Sequence, residues 1–354
     1  MLERWIENYF TRKLNPQKLA EHVRRINSTP SKEAQPKPSG NVKVACIQKQ
    51  VIPVETGEEY AERISGFVKT AAQQGCRLVV FPEYNFFDFF GLLPGFKDLN
   101  RYLNKKAKAK TSSHGSSGNS GTGALLTLFS AVAQPTEAAI LAIISQLAEI
   151  YGVYIYTGSY LVKETEGLYN AGSLVGPDGE LIGTQKKIHL TDFEAEIGIC
   201  RSDSLAVFPL DIGTIAIPIC MDATYFETFQ LARNLGADIV VIPIANNEEY
   251  NLWRALRGIW PRVQESYVYG LKASLNGWLG GMHFTGKAGI FAPIELTKKK
   301  DGVVAIAENY QGDAVVVAEL DLARLAQARK DAEYYGDSNP AFEAELYAKT
   351  YGRG

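Results

Sequence analysis

The strongest constraint in this sequence is a repeated pair of signals: an apolar run rich in β-branched residues, then a segment with the periodicity of an amphipathic helix. VKVACIQ (42–48) is followed by a helical pattern from about Glu58 to Gln74 that stops at Gly75. RLVVFPE (77–83), a helix over about Glu137–Ile150, VYIYTGSY (153–160) and AGSLVGP, closing at the turn Gly176-Pro177-Asp178-Gly179, continue the series. TIAIPIC (214–220), a helix reaching Leu235, ADIVVIP (237–243), a helix around Trp253–Gln264, and then YVYGLKASL, KAGIFAP and AVVVAELD complete it. Strands alternating with helices predict an α/β layered fold. Several strands are apolar at consecutive rather than alternate positions, as strands covered on both faces are, so the sheet is expected to be buried.

Two regions depart from the alternation. Residues 1–27 predict one or two short helices, and STPSKEAQPKPSG (28–40) has the Pro, Ser and Lys content of a linker, so 1–40 is expected to be an extension and 41–354 the main domain. Between Gly91 and Pro135 a basic stretch gives way to TSSHGSSGNSGTG, which predicts a flexible insertion over about 95–135. It follows the strand ending at Glu83 and is placed either to cover a site there or to be a plain surface loop.

Composition narrows the partners. The chain has 354 residues and a formal charge of -2, with a pI near 6.2. It therefore has no global field to hold nucleic acid or an anionic membrane, and a small molecule is the expected partner. The basic runs Arg101–Lys110 and Lys298–Lys300 are expected to be solvated. Four cysteines without a CxxC pair and four dispersed histidines give no zinc spacing, so neither a metal nor a cofactor is expected. The N-terminal segment is charged and lacks an apolar signal core, which makes a cytoplasmic location with reduced thiols the default expectation.

Three segments carry chemistry. In TIAIPICMDATYFE (214–227) an apolar run leads directly into Cys220, and Thr224 to Glu227 spell the T-x-x-E of a capping box. A cysteine there would feel a helix N-terminus, which favours the thiolate, although most cysteines are simply small buried hydrophobes. In RLVVFPEYNFF, Glu83 stands at the C-terminal end of a strand, where open α/β sheets place their sites, and burial would raise its pKa towards that of a useful base. In GPDGELIGTQKKIHLTDFEAE, Lys187 and His189 share a face if the chain stays extended, and a buried lysine beside a carboxylate keeps a charge that can bind an oxyanion.

FPE, then K-x-H-L, then a strand ending in C-x-D, in that order, resemble the nitrilase, or carbon-nitrogen hydrolase, superfamily. VKVACIQ, GSY, YNAGSLVGPDGE, GADIVVIP, ASLNGWLGG and NPAFEAELY extend the resemblance over 42 to about 350. The resemblance implies a four-layer αββα sandwich and a triad in which Glu83 is the base, Lys187 the oxyanion lysine and Cys220 the nucleophile. It also places Glu194, and less strongly Glu196, as a second glutamate near the lysine that helps position substrate. The later half is most similar to the amidase branch often fused to an acetyltransferase domain. Met221 where an aromatic residue is common, and Gln185 in place of a frequent Tyr, are departures that bear on the pocket lining.

The implied reaction is hydrolysis of a small amide through a thioester, with the Met221 backbone N–H and Lys187 holding the oxyanion. Nitrile hydrolysis, acyl transfer to another nucleophile, and a non-catalytic binding role are the alternatives. A homodimer or higher homo-oligomer, paired through the helix after Cys220 or the one around Trp253, is likewise implied by the resemblance. Phe86, Phe87, Phe89, Phe90, Trp253, Trp260 and Trp278 either line a pocket or pack in the core.

Overall fold

The computed structural model describes residues 1–27, 41–109, 122–332 and 339–352. In chain order the first half contains α1 (Leu2–Lys13), α2 (Pro16–Ile26), β1 (Asn41–Gln50), α3 (Gly57–Gln73), β2 (Leu78–Val80), α4 (Phe96–Ala109), α5 (Thr122–Tyr151), β3 (Tyr154–Lys163), β4 (Leu168–Val175) and β5 (Leu181–Lys186). The second half contains α6 (Asp192–Ile197), β6 (Ile199–Cys200), β7 (Val207–Leu210), β8 (Gly213–Ala216), α7 (Phe226–Asn234), β9 (Ile239–Ile244), α8 (Leu252–Leu256), α9 (Trp260–Ser266) and β10 (Tyr269–Leu279). The strands β11 (Met282–Phe284), β12 (Gly289–Phe291), β13 (Val303–Ile306) and β14 (Ala314–Asp321) precede α10 (Leu322–Asp331) and α11 (Pro340–Tyr351).

The strands are joined in the order β5-β4-β3-β2-β1-β10-β9-β8-β7, with β14 antiparallel to β1. The double-sided burial expected from the apolar runs explains how this path folds into layers. Val42, Val44 and Cys46 of β1 and Leu78 and Val80 of β2 form one apolar cluster with Ile215, Ile239, Val241 and Leu271 from the other half of the sheet. The alternate residues Ala45, Ile47 and Val79 point the other way, into a cluster shared with α1, α2, α3 and α5. Ala216, Val240 and Ile242 face Phe229 of α7 and Val263 of α9. Helices, sheet, sheet and helices make the four-layer αββα sandwich.

Two segments differ from the sequence expectation. Residues Phe96–Ala109 are helical, and α5 begins at Thr122 rather than near Glu137, running for 30 residues through Pro135. The basic and apolar parts of the expected flexible insertion over 95–135 are therefore ordered helix, and only residues 110–121 of it lie outside the described residues. Proline ordinarily breaks a helix by removing an N–H and crowding the preceding turn. Here Thr136 donates its hydroxyl to the Val132 and Ala133 carbonyls, and burial of Phe129, Ala131, Val132 and Ala133 holds the turn in place. Gly123–Tyr151 is long and apolar enough to cross a bilayer, but its most apolar window is 56% buried within this fold.

The N-terminal helices pack on α5 and α3. Asn15 caps α2, which starts with Pro16 at its first turn. Phe10, Leu14, Leu19 and Val23 are buried and belong to the same cluster as the β1 and α5 core residues, while 28–40, expected to be a linker, lies outside the described residues. Removing the Phe10 ring leaves a cavity at a fully buried position, so Phe10→Ala is expected to lower the free energy of unfolding by about 3–5 kcal/mol. Chemical denaturation measures it; a change near zero would show that α1 is not part of the cooperative core.

Candidate active site

Glu83 follows β2 by way of Phe81 and Pro82, and three backbone features hold it. Tyr84 takes a left-handed φ of 51°, and its N–H donates to the Ser159 hydroxyl at 3.1 Å. Gly158, at φ +73°, lets the Pro82 carbonyl come so close that a Cβ there would lie 2.2 Å from it. The carboxylate is 1% exposed. Its Oε2 accepts the Ala245 N–H at 2.9 Å, just past β9, and its Oε1 accepts from Asn170 Nδ2 at 3.0 Å.

Lys187 lies one residue beyond β5, and its backbone N–H donates to the Asn170 carbonyl. Its side chain is 1% exposed and donates to Glu83 at 2.7 Å and to both oxygens of Glu194 at 2.8 and 2.9 Å. Glu194 is the third residue of α6, where it completes a capping box with Thr191. Asn170 bridges the two carboxylates, reaching Glu194 at 2.9 Å, and the Tyr84 hydroxyl donates to Glu194 through a short hydrogen bond. Glu196, the weaker candidate, is exposed.

Cys220 comes four residues after β8 and has a φ of 46°. It opens a short 3-10 turn, Cys220–Thr224, shaped by Asp222. The Asp222 carboxylate accepts the N–H groups of Ile219 at 2.8 Å, Ile188 at 3.1 Å and His189 at 2.5 Å, so one side chain fastens the cysteine turn to the lysine loop. His189 also contacts Asp222 through Nδ1 at 3.1 Å and stacks on Tyr225. The capping box expected at Thr224–Glu227 does not form. Because the 3-10 turn takes up Thr224, α7 starts at Phe226 with no side-chain cap.

Electrostatics follow from burial and from the shared lysine. Burial pushes the Glu83 carboxyl up, with Lys187 opposing and Glu194 adding to the rise. Burial works against the Lys187 charge, but Glu83, the Cys220 sulfur and Glu194 outweigh it and its pKa is raised. Burial disfavours the Glu194 charge too, yet Lys187 and the hydrogen bonds from Lys187, Tyr84 and Thr191 bring its pKa below the ordinary value. The Cys220 thiol is pushed well up by burial and by the charge on Glu83. This reverses the expected helix-favoured thiolate, since the turn after Cys220 is too short to supply the field of a long helix.

Glu83, Lys187, Glu194, Cys220 and Met221 all line one cavity of about 200 Å³. Of the aromatic residues singled out in the sequence, only Phe87 joins them. Phe86 and Phe89 are core residues, Trp253 is 77% exposed and Trp278 stacks on His283. Gln185 bonds the Lys186 and Ser204 carbonyls and does not line the cavity. Sequence reasoning overlooked Tyr84, Asn170, Asp222 and Asn246. Asn170 had a visible signal, as the one amide side chain in the strand LYNAGSLV (168–175).

With that geometry in view, the family model for carbon-nitrogen hydrolases matches residues 43–330. The chain belongs to the carbon-nitrogen hydrolase family. As such it is an enzyme of the carbon-nitrogen hydrolase class. It is 26% identical over 298 residues to Probable hydrolase YhcX of Bacillus subtilis (strain 168), covering 82% of this chain and 52% of that protein, so it spans about half the length of that relative. It is 25% identical over 304 residues to omega-amidase NIT2-A of Xenopus laevis, covering 81% and 91%. Among solved structures, an amidase variant from Nesterenkonia sp. AN1 in complex with acrylamide matches with a TM-score of 0.60 at 18% identity, covering 87% and 98%. Saccharomyces cerevisiae Nit3, of the nitrilase superfamily, matches with a TM-score of 0.59 at 19% identity, covering 83% and 95%. These two structures share the fold of this carbon-nitrogen hydrolase.

Because Gly158 permits the approach that sets Glu83, Gly158→Ala combines an unfavourable φ with a steric clash on the Pro82 carbonyl. A loss of more than about 1 kcal/mol is expected. Thermal or chemical unfolding checks it, and an unchanged midpoint would remove Gly158 from the account.

Proposed function

We propose that this carbon-nitrogen hydrolase cleaves a small amide through a thioester on Cys220. The observation that carries the reading is that Cys220 opens on the same cavity as a buried carboxylate, Glu83, that is itself ion-paired to Lys187. A thiol whose pKa is raised does not ionise unaided near neutral pH, so the nucleophile needs a base in contact with it. Glu83 fills that role, and its raised pKa makes it a stronger base than a solvated glutamate.

As sulfur bonds to the amide carbon, the thiol proton passes to Glu83 and the carbonyl electron pair moves onto oxygen. Lys187 donates to three carboxylate oxygens at rest, which uses its three N–H groups. Protonation of Glu83 weakens one of those bonds at the moment the oxyanion forms, and that N–H turns to the oxyanion. The Met221 backbone N–H, at the start of the turn, is the second donor. Glu83 then gives the proton to the leaving nitrogen, the carbon–nitrogen bond breaks, and ammonia or an amine departs. Water deprotonated by Glu83 attacks the thioester and restores the thiol as the acid leaves. Glu194 positions Lys187 and the substrate. The cavity of about 200 Å³ suits a small substrate.

Mass spectrometry of the intact protein after brief incubation with a panel of small amides is expected to show an acyl adduct on Cys220. Cys220→Ala is expected to fold and to hydrolyse nothing; undiminished hydrolysis by that variant would dispose of the thioester. The pH dependence has a definite sign. Glu83 must be ionised to act, and its pKa is raised, so kcat/KM should fall as pH drops through a value above the ordinary glutamate value of about 4.3. Because the raised thiol pKa keeps Cys220 protonated at rest, no second limb is expected near neutral pH. A profile flat down to pH 4 would exclude Glu83 as the base.

A further inference from the structure

Among the polar side chains that line the cavity, Asn246 stands against the nucleophile and has no role in this mechanism. Asn246 lies two residues past β9, immediately after Ala245, whose N–H is bound to Glu83. Its own carbonyl accepts the Thr285 N–H at 2.8 Å, which fixes the residue between the end of β9 and the end of β11. Its side-chain Oδ1 stands 3.9 Å from the Cys220 sulfur, and the residue lines the cavity.

The thiol proton has the Asn246 amide oxygen within reach at rest and passes to the Glu83 carboxylate in the proposed reaction. A charged acceptor makes the stronger bond, which favours that transfer. The Asn246 oxygen is then left with lone pairs free to accept a hydrogen bond beside the reacting atom. A substrate supplies one. In the tetrahedral adduct the oxyanion turns to Lys187, and the nitrogen must direct its lone pair at Glu83 to be protonated. Its N–H hydrogens then point away from that lone pair. Asn246 follows, by one residue, the backbone N–H that holds the other oxygen of Glu83, and its carboxamide oxygen is the acceptor beside them.

We propose that Asn246 is a further substrate-contacting residue, whose Oδ1 accepts an N–H of the scissile amide and so selects amides over esters and nitriles with the same acyl group. No covalent step is added, since the proton still travels from Cys220 to Glu83 to the nitrogen. The hydrogen bond strengthens as the nitrogen gains positive character, so its contribution falls mainly in the transition state and hence in kcat. The inference rests on the thioester reading above.

The test compares a primary amide with the methyl ester of the same acid, using the full chain and Asn246→Ala. For the amide, kcat/KM is expected to fall about tenfold, mostly in kcat. For the ester, which has no N–H to offer, it is expected to stay unchanged. The rate at which methyl methanethiosulfonate modifies Cys220, read by peptide mass spectrometry, should also be unchanged, since that reagent carries no amide. Asn246→Gln, which keeps the carboxamide but moves it by one methylene, should reproduce the selective loss if the alanine variant fails to fold. Equal losses on amide and ester, or no loss on the amide, would overturn the role of Asn246. The thioester reading itself fails by a different result, hydrolysis by the unaltered protein with no adduct on Cys220.

Discussion

A single ammonium group, that of Lys187, holds the centre of this protein together. Two carboxylates, Glu83 and Glu194, are buried within reach of it, and neither could stay ionised there without it. Removing one partner of a buried ion pair costs about 3–5 kcal/mol, a large share of the roughly 5–15 kcal/mol that separates a native domain from its unfolded chain. The surrounding bonds serve this arrangement. Asn170 bridges the two carboxylates and Tyr84 adds a hydroxyl to Glu194. Burial keeps the Tyr84 phenol protonated and therefore a donor. The same network sets the two acids apart: Glu194 has its pKa lowered and is a fixed anion, whereas Glu83 has its pKa raised and can exchange a proton.

The two residues proposed as base and nucleophile sit beside or on strained backbone. Tyr84, directly after Glu83, and Cys220 itself both occupy the left-handed region, which costs of order 1–3 kcal/mol for a residue with a side chain. The strain is held by specific bonds, from Tyr84 N–H to Ser159 and from Ile219, Ile188 and His189 to Asp222. Substituting Asp222 would leave several buried donors without an acceptor, so its role is to shape two loops at once. His189, which an extended chain would have put on the Lys187 face, belongs to this scaffold instead.

Much of this was legible in the sequence, for identifiable reasons. Double-sided burial writes consecutive apolar residues into each strand, and VKVACIQ and ADIVVIP carry that mark; their alternate residues do go to opposite layers. Glu83 and Cys220 were visible because each ends an apolar run, and Lys187 through the K-x-H-L segment that carries the resemblance. What could not be read depended on distance in space. The T-x-x-E pattern occurs at both 191–194 and 224–227, and only the structure shows that Asp222 folds the chain so that the first becomes a capping box and the second does not. The Gly/Ser stretch and Pro135 concealed an apolar helix, because the core that stabilises α5 through its proline is assembled from α1, α2 and β3.

The placement of the site follows from the layering. Glu83 follows β2, Cys220 follows β8 and Ala245 follows β9; β2 lies parallel to β1, which lies parallel to β10, and β10, β9 and β8 continue in the same sense. Their C-terminal ends therefore open on one edge of the sandwich, as expected for sites in α/β sheets. Lys187 arrives there by a different route, one residue past β5, which is antiparallel to β4. Glu83 and Cys220, delivered by parallel strands, share a common direction, but the cation beside Glu83 must come from a strand whose end reaches the same edge. The reversal in the β3-β4-β5 meander supplies it: β4 runs back and β5 forward again. The meander thus carries Asn170 and Lys187 together, on neighbouring strands, to the two carboxylates they join, and the charge balance of the site is a direct consequence of the turn at Gly176–Gly179.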